Sequence, residues 1–238
     1  DSRNPRSWPG SGTTWYDLSG KNNHATFYKN PSQLNNNTIE QNGTAIDGST
    51  LGHNSQGDLY FNGTSTSAQY QFAGGPNLGT NLTQYSIMSW VYFNSLVSTS
   101  ELPAVFNLGN YTGYSGGTTV NGTLAFYSGS GNDNQLHAGF YNAGWSNTAG
   151  YAVSIGQWYH VAMTYDTATI RFYVNGSLYT SSTVASTISN SLGYRVGRRW
   201  DGWDTVDAYI PVSMAYNRPL SASEISLNFN YHRSRYGV

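Results

Sequence analysis

An all-β sandwich of two antiparallel sheets with one short C-terminal helix is the fold this sequence predicts, and three observations predict it. Gln157 to Gly176 (QWYHVAMTYDTATIRFYVNG) alternates in two runs. Val161, Met163 and Tyr165 stand against His160, Ala162 and Thr164, and Phe172 and Val174 against Arg171, Tyr173 and Asn175. Each run therefore turns one face to a core and one to water. Turn chemistry falls where these runs end: Asp166 to Thr169 connects them, and Asn175-Gly176 holds two successive φ > 0 residues, as a type I′ hairpin turn demands. Leu178 to Val184 then runs back as a third strand. The last observation is Ser221-Ala-Ser-Glu224, a capping box followed by Ile225, Phe229 and His232 at helical spacing, which predicts a helix over 222–231.

The remaining elements follow in chain order. Residues 1–12 carry Pro5, Pro9, Gly10 and Gly12 and are expected as an extended arm anchored by Trp8. Thr14 to Leu18 is a short strand, and Asp17 to Gly20 a turn in which the carboxylate caps backbone N–H groups. From Asn30 to Gly57 the chain is polar, with one short strand near Thr44 to Ile46. Strands resume at Asp58 to Phe61, Ala68 to Phe72 and Tyr85 to Phe93. The last of these is apolar at both parities and is expected in the centre of a sheet. Pro103 to Leu108, Thr123 to Tyr127, Leu136 to Phe140, Tyr151 to Val153, Gly193 to Gly197 and Ala208 to Tyr216 complete the set. Pro211 lacks an N–H, so its strand needs an edge or a bulge there.

Composition excludes several classes. Charged residues make up 10% of the 238 and the net charge is −1, so no basic surface is available to track a phosphate backbone and nucleic acid is not an expected partner. Cys is absent, which removes disulfides and thiolate metal sites. No apolar run approaches a membrane span, so no membrane insertion is expected. Without a solenoid repeat or an internal linker, the chain reads as a single domain, 1–238, cut from a longer polypeptide. Asn-x-Ser/Thr sequons at Asn42, Asn62, Asn121 and Asn175 are Asn-Gly dipeptides and read as turns before glycosylation acceptors.

The pattern W-x-HVA-x-TYD…IRFYVNG, with TTWYDLSGKNNHATF (13–27), DLYFNGTS (58–65), YSIMSWVYF (85–93) and VSMAYNRPLSASEISLNFNYHRSRYGV (212–238) in the same order, resembles the laminin-G-like, concanavalin A-like lectin/glucanase jelly rolls over nearly the whole chain. SWPGSGTTWYDLSG and YNRPLSASEI…NFN…RYG are similar to lectin-like domains at the C-termini of bacteriophage structural proteins. The resemblance implies a lectin-like jelly roll on the virion surface, with host-surface glycan and other virion proteins as partners; the alternatives are a structural capsid-decoration or oligomer-contact domain without a ligand, and a glycan-binding module of a bacterial extracellular enzyme.

Glucanases of this fold carry E-x-D-x-x-E or E-x-D-x-E on one strand. Here Glu40, Glu101 and Glu224 are isolated, and no enzyme activity is expected. The densest acidic set, Asp201, Asp204 and Asp207, lies in RRWDGWDTVD, where two carboxyls at about 5–9.5 Å would be needed for glycoside hydrolysis. The same stretch is the stronger binding candidate. Arg199, Trp200, Asp201, Trp203 and Asp204 combine flat apolar faces for sugar C–H groups with charged partners for hydroxyls; the alternative is that both Trp close the end of the sandwich. Trp145 in YNAGWSN is a second binding candidate. Calcium is the only cofactor considered, with Asp17 or Asp207 as its ligand, because related domains place a carboxylate on such turns and Ca²⁺ takes six to eight oxygens. The five His are scattered without ligand spacing, and His160 reads as a sheet residue before a catalytic base.

Overall fold

The computed structural model describes residues 1–30, 44–63, 70–76, 78, 82–96, 103–108, 121–126, 135–141, 145–184, 193–198 and 205–238. In chain order the strands are β1 (Thr14–Trp15), β2 (Ala25–Asn30), β3 (Thr44–Ala45), β4 (Tyr60–Phe61), β5 (Tyr70–Gly75), β6 (Gln84–Ser95), β7 (Ala104–Leu108), β8 (Asn121–Phe126), β9 (Gln135–Tyr141), β10 (Trp145–Asn147), β11 (Tyr151–Ala152), β12 (Trp158–Asp166), β13 (Thr169–Val174), β14 (Ser177–Thr183), β15 (Tyr194–Val196) and β16 (Asp207–Tyr216). The helix α1 spans Ala222–Tyr236.

These form two antiparallel sheets. One runs β1-β2-β5-β15-β7-β8-β9-β10, with β3 on β2 and β11 on β9; the other runs β14-β13-β12-β6-β16-β4. The expected central strand is central: β6 lies between β12 and β16 and is apolar on both faces because both are covered. Tyr85, Ile87, Val91 and Phe93 point between the sheets, with Phe27, Phe61, Phe140 and Phe172. Met88 and Trp90 point the other way, beneath α1. The molecule is thus three layers deep, sheet on sheet with a helix over the second sheet.

Local chemistry explains most element ends. Asn175 and Gly176 have φ of 48° and 77°, and a Cβ on Gly176 would stand 2.7 Å from the Phe229 ring, so glycine is required by conformation and by space. Pro211 sits in a bulge, where the register of β16 against β6 shifts between Tyr209 and Val212. The capping box forms as expected: Ser221 Oγ accepts from Glu224 N–H while Glu224 accepts from Ser221 N–H at 2.8 Å.

Two expectations are corrected. The helix does not stop at Tyr231 but continues to Tyr236, ended by Gly237 at φ 69°. NYHRSRY holds no breaker, and Tyr236 gains a stacked contact with Trp90, ring centroids 4.4 Å apart. The N-terminal segment is coiled rather than extended, because Ser7 N–H and Trp8 N–H both donate to the Asn4 carbonyl, at 2.8 and 2.9 Å. Trp8 anchors it as anticipated, edge-on to Phe27. Arg3 then reaches the fully buried Asp58 and donates to the Arg235 carbonyl. Arg235 itself makes a two-pronged bond to Asp1 at 2.8 and 3.0 Å.

Candidate functional site

The sequence-predicted residues Arg199, Trp200, Asp201, Trp203 and Asp204 lie outside the described residues; the stem on either side of them is formed by 197–198 and 205–206. It leaves β15 in one sheet and enters β16 in the other. Arg198 and Thr205 form an antiparallel bridge across it, Val206 N–H donates to the Gly197 carbonyl, and Gly197 N–H to the Val105 carbonyl, both at 2.9 Å. Glycines make this closeness possible: a Cβ on Gly63 would meet the Thr205 carbonyl, and one on Gly197 (φ 84°) the Phe61 ring at 2.6 Å. Arg198, the first residue of RRWDGWDTVD, is buried, its guanidinium 5.2 Å from the centre of the Phe72 ring. Trp145 opens β10 and pairs with Tyr141 at the far edge of the sheet. Four strand spacings separate β10 from β15, about 19 Å.

The two carboxylates considered for calcium do not come together. Asp207 begins β16, whereas Asp17 follows β1 and lines the cavity that Val212 to Tyr216 also line, which Asp207 does not. Each is engaged by protein donors. Asp207 is buried and accepts from Tyr60 Oη at 2.7 Å and from Ser95 Oγ, with Asn94 Nδ2 at 3.4 Å. Burial and this carboxylate push the Tyr60 hydroxyl pKa up. Asp17 accepts from Ser19 N–H (2.8 Å), Ser19 Oγ (2.7 Å) and Asn23 N–H (3.0 Å). Burial raises the Asp17 pKa, but these bonds and the nearby His24 outweigh it and hold the carboxyl below its ordinary value. Among the described residues no group of three or more His, Asp or Glu side chains gathers.

Glu224 is spent on the helix cap and on a two-pronged bond to Arg218 at 2.6 and 3.0 Å. His160 is buried between Trp90 and Phe229, ring centroids 5.4 and 5.9 Å away. Among the described residues no helix is long and apolar enough to cross a membrane.

A cleft of about 370 Å³ opens at the seam between the two sheets. One wall is Trp15 to Ser19, continuing from β1, the other is Val212 to Tyr216 of β16, and Ala25, Phe106 and Tyr194 are among the residues that floor it. Sequence reasoning missed this feature because its parts come from distant segments. The one local hint is that VSMAY, after Pro211, carries no charge.

Two antiparallel sheets packed face to face, with loops crossing between them at the ends, define a lectin-like sandwich, and comparison with known proteins makes the class specific. Residues 64–226 match the Concanavalin A-like lectin/glucanases superfamily, and the chain belongs to that family. No curated protein matches the sequence. Among solved structures the fold is similar to domain 4 of AbnA, a GH43 extracellular arabinanase from Geobacillus stearothermophilus, in complex with arabinotriose. There the identity is 17%, the TM-score 0.57, and 87% of this chain and 89% of that one are covered. The binding domain of botulinum neurotoxin DC in complex with SialylT is 16% identical with a TM-score of 0.59, over 92% of this chain and 48% of that one. The Trypanosoma rangeli sialidase bound to the inhibitor DANA is 18% identical with a TM-score of 0.56, over 92% and 31%. The chain thus spans about half of the toxin domain and a third of the sialidase.

Proposed function

We propose that the chain is a non-enzymatic carbohydrate-binding domain of a phage virion protein, displayed on the virion surface, that recognises host-surface glycan through the loop 199–204. The observation that carries this reading is the stem: a bridge between Arg198 and Thr205 fixes the base of a segment whose sequence supplies two Trp, two Asp and Arg199. Aromatic and charged residues in one short segment are what glycan recognition uses, the rings for sugar C–H groups and the charges for hydroxyls. Family membership supports the carbohydrate class, as do the arabinotriose and SialylT complexes of two proteins with the same fold. The non-enzymatic part rests on the isolation of Glu40, Glu101 and Glu224, and the phage part on the terminal blocks SWPGSGTTWYDLSG and YNRPLSASEI.

A glycan array identifies the ligand, and Trp203→Ala tests the site. Loss of one stacking anchor weakens binding by about 1–3 kcal/mol, roughly 5- to 150-fold, with the melting temperature nearly unchanged. If the variant is destabilised by about 3–5 kcal/mol, the range for a core aromatic, and still binds its glycan normally, the loop is part of the core and the reading fails.

A further inference from the structure

We infer that the seam cleft is a strand-addition site, in which an extended segment of a partner polypeptide pairs with the edge of β16 from Val212 to Tyr216. Val212, Ser213, Met214, Ala215 and Tyr216 all line the cleft. Successive strand side chains point to opposite faces, so consecutive residues line one cavity only if the cavity runs along the strand's edge. On its inner side this stretch pairs with β6, from Trp90 to Ser86. On its outer side β4 reaches only Ala208 and Tyr209, Ile210 N–H donates to Leu59, and Ser2 N–H donates to the Pro211 carbonyl at 2.7 Å. Beyond Pro211 no described residue pairs with the outer edge. The edge is also unguarded: proline and the bulge lie before Val212, and VSMAY has neither charge nor proline, the devices that normally stop edge pairing.

The chemistry of the walls favours polypeptide over saccharide. Several side-chain polar groups in the cleft are already engaged. Ser213 Oγ bonds Ser89 Oγ at 2.9 Å, Tyr194 Oη donates to the Asn23 carbonyl at 2.8 Å, Ser7 Oγ to the Tyr16 carbonyl at 2.7 Å, and Asp17 is held by its own turn. Few of these side chains remain to read sugar hydroxyls, whereas the main chain of β16 offers alternating N–H and C=O groups at strand spacing. The five-residue edge spans about 17 Å. Its floor, Trp15, Ala25, Phe106 and Tyr194, suits an apolar side chain at every second position of the incoming strand. The Ser2 bond to Pro211 shows that the same edge already accepts a passing segment one residue earlier, so the added strand continues an existing ladder. This site is separate from the loop 199–204 and does not depend on the glycan reading.

Amide hydrogen exchange of the whole chain tests the proposal, with a capped heptapeptide of alternating threonine and valine as the probe. In the free protein the amides of 212–216 that face away from β6 exchange fast. The peptide slows them by about tenfold or more, while the same peptide N-methylated at every second amide does not. Ala215→Lys, which places a charged side chain in the cleft, abolishes the effect and leaves protection in β12 unchanged. Edge amides that are already protected in dilute free protein overturn the proposal, as does a peptide that leaves 212–216 unaltered at millimolar concentration. Protection that appears on raising the protein concentration alone assigns the edge to a second copy, and protection by simple hexoses assigns it to saccharide; either result also overturns it.

Discussion

Replacing His160 should flatten the acid side of the stability profile. The ring is 1% exposed, lies in β12 opposite Trp90 of β6, and has no hydrogen-bond partner at Nδ1. Charging it would place a cation in an aromatic layer, so burial, helped by the neighbouring His232, pulls its pKa from 6.5 down to about 3. The unfolded chain takes up this proton first. Stability from His160 is therefore complete above about pH 6.5, falls as the pH drops below that value, and stops falling only near the folded pKa. Each pH unit in the window costs about 1.36 kcal/mol, which gives a loss of about 2 kcal/mol at pH 5. His232, lowered to about 4 by burial and then by Arg235, acts in the same direction. The carboxylates held below their ordinary values, Asp17, Asp166 and Glu224, act only at lower pH. Urea unfolding at pH 7.5 and pH 5 measures the effect in the wild type and in His160→Leu, which fills similar space and does not titrate. The variant should lose about 2 kcal/mol less than the wild type between the two pH values. Equal losses in the two proteins would refute the argument, because His160 would then not be the group that resists the proton.

Asp58→Ala removes the fully buried carboxylate to which Arg3 and Asn54 Nδ2 both donate. Urea denaturation should show a loss of about 3–5 kcal/mol, much reduced when the same change is made in an Arg3→Met background. Calcium at Asp17 would have to displace the Ser19 and Asn23 donors, so melts in millimolar calcium and in chelator should coincide. A rise matching the roughly 2.7 kcal/mol expected at a hundredfold excess over Kd, lost in Asp17→Asn, would instead assign an ion to that turn.

The elements legible in the sequence are those whose causes are local. The β12–β13–β14 meander follows from alternation, the turn over Asp166 to Thr169, and the Asn175-Gly176 turn; the start of α1 follows from Ser221 and Glu224 a few residues apart. What the sequence hides depends on distant partners. Arg3 meets Asp58 across 55 positions and Arg235 meets Asp1 across 234, and neither pairing leaves a periodic trace. The end of α1 is misplaced for the same reason, since Tyr236 is held by Trp90 and Trp158. For the candidate site, RRWDGWDTVD advertises its residue types, but the burial of Arg198 and the three donors on Asp207 appear only once the sheets are assembled. The seam cleft is less legible still, because its walls are ordinary strand residues.

The order of the strands also dictates when the domain can close during synthesis. β15 is made late, yet it occupies the slot between β5 and β7, and β16 completes the sheet that β4 and β6 begin. Until those last strands leave the ribosome, β5, β6 and β7 hold open edges and bare aromatic faces, including Phe72, Trp90 and Phe106. Non-local pairing of this kind places the protein among slow folders, and the waiting nascent chain is the form most exposed to aggregation. Cooling a host cell, which slows aggregation of the waiting chain, should therefore raise the yield of folded protein.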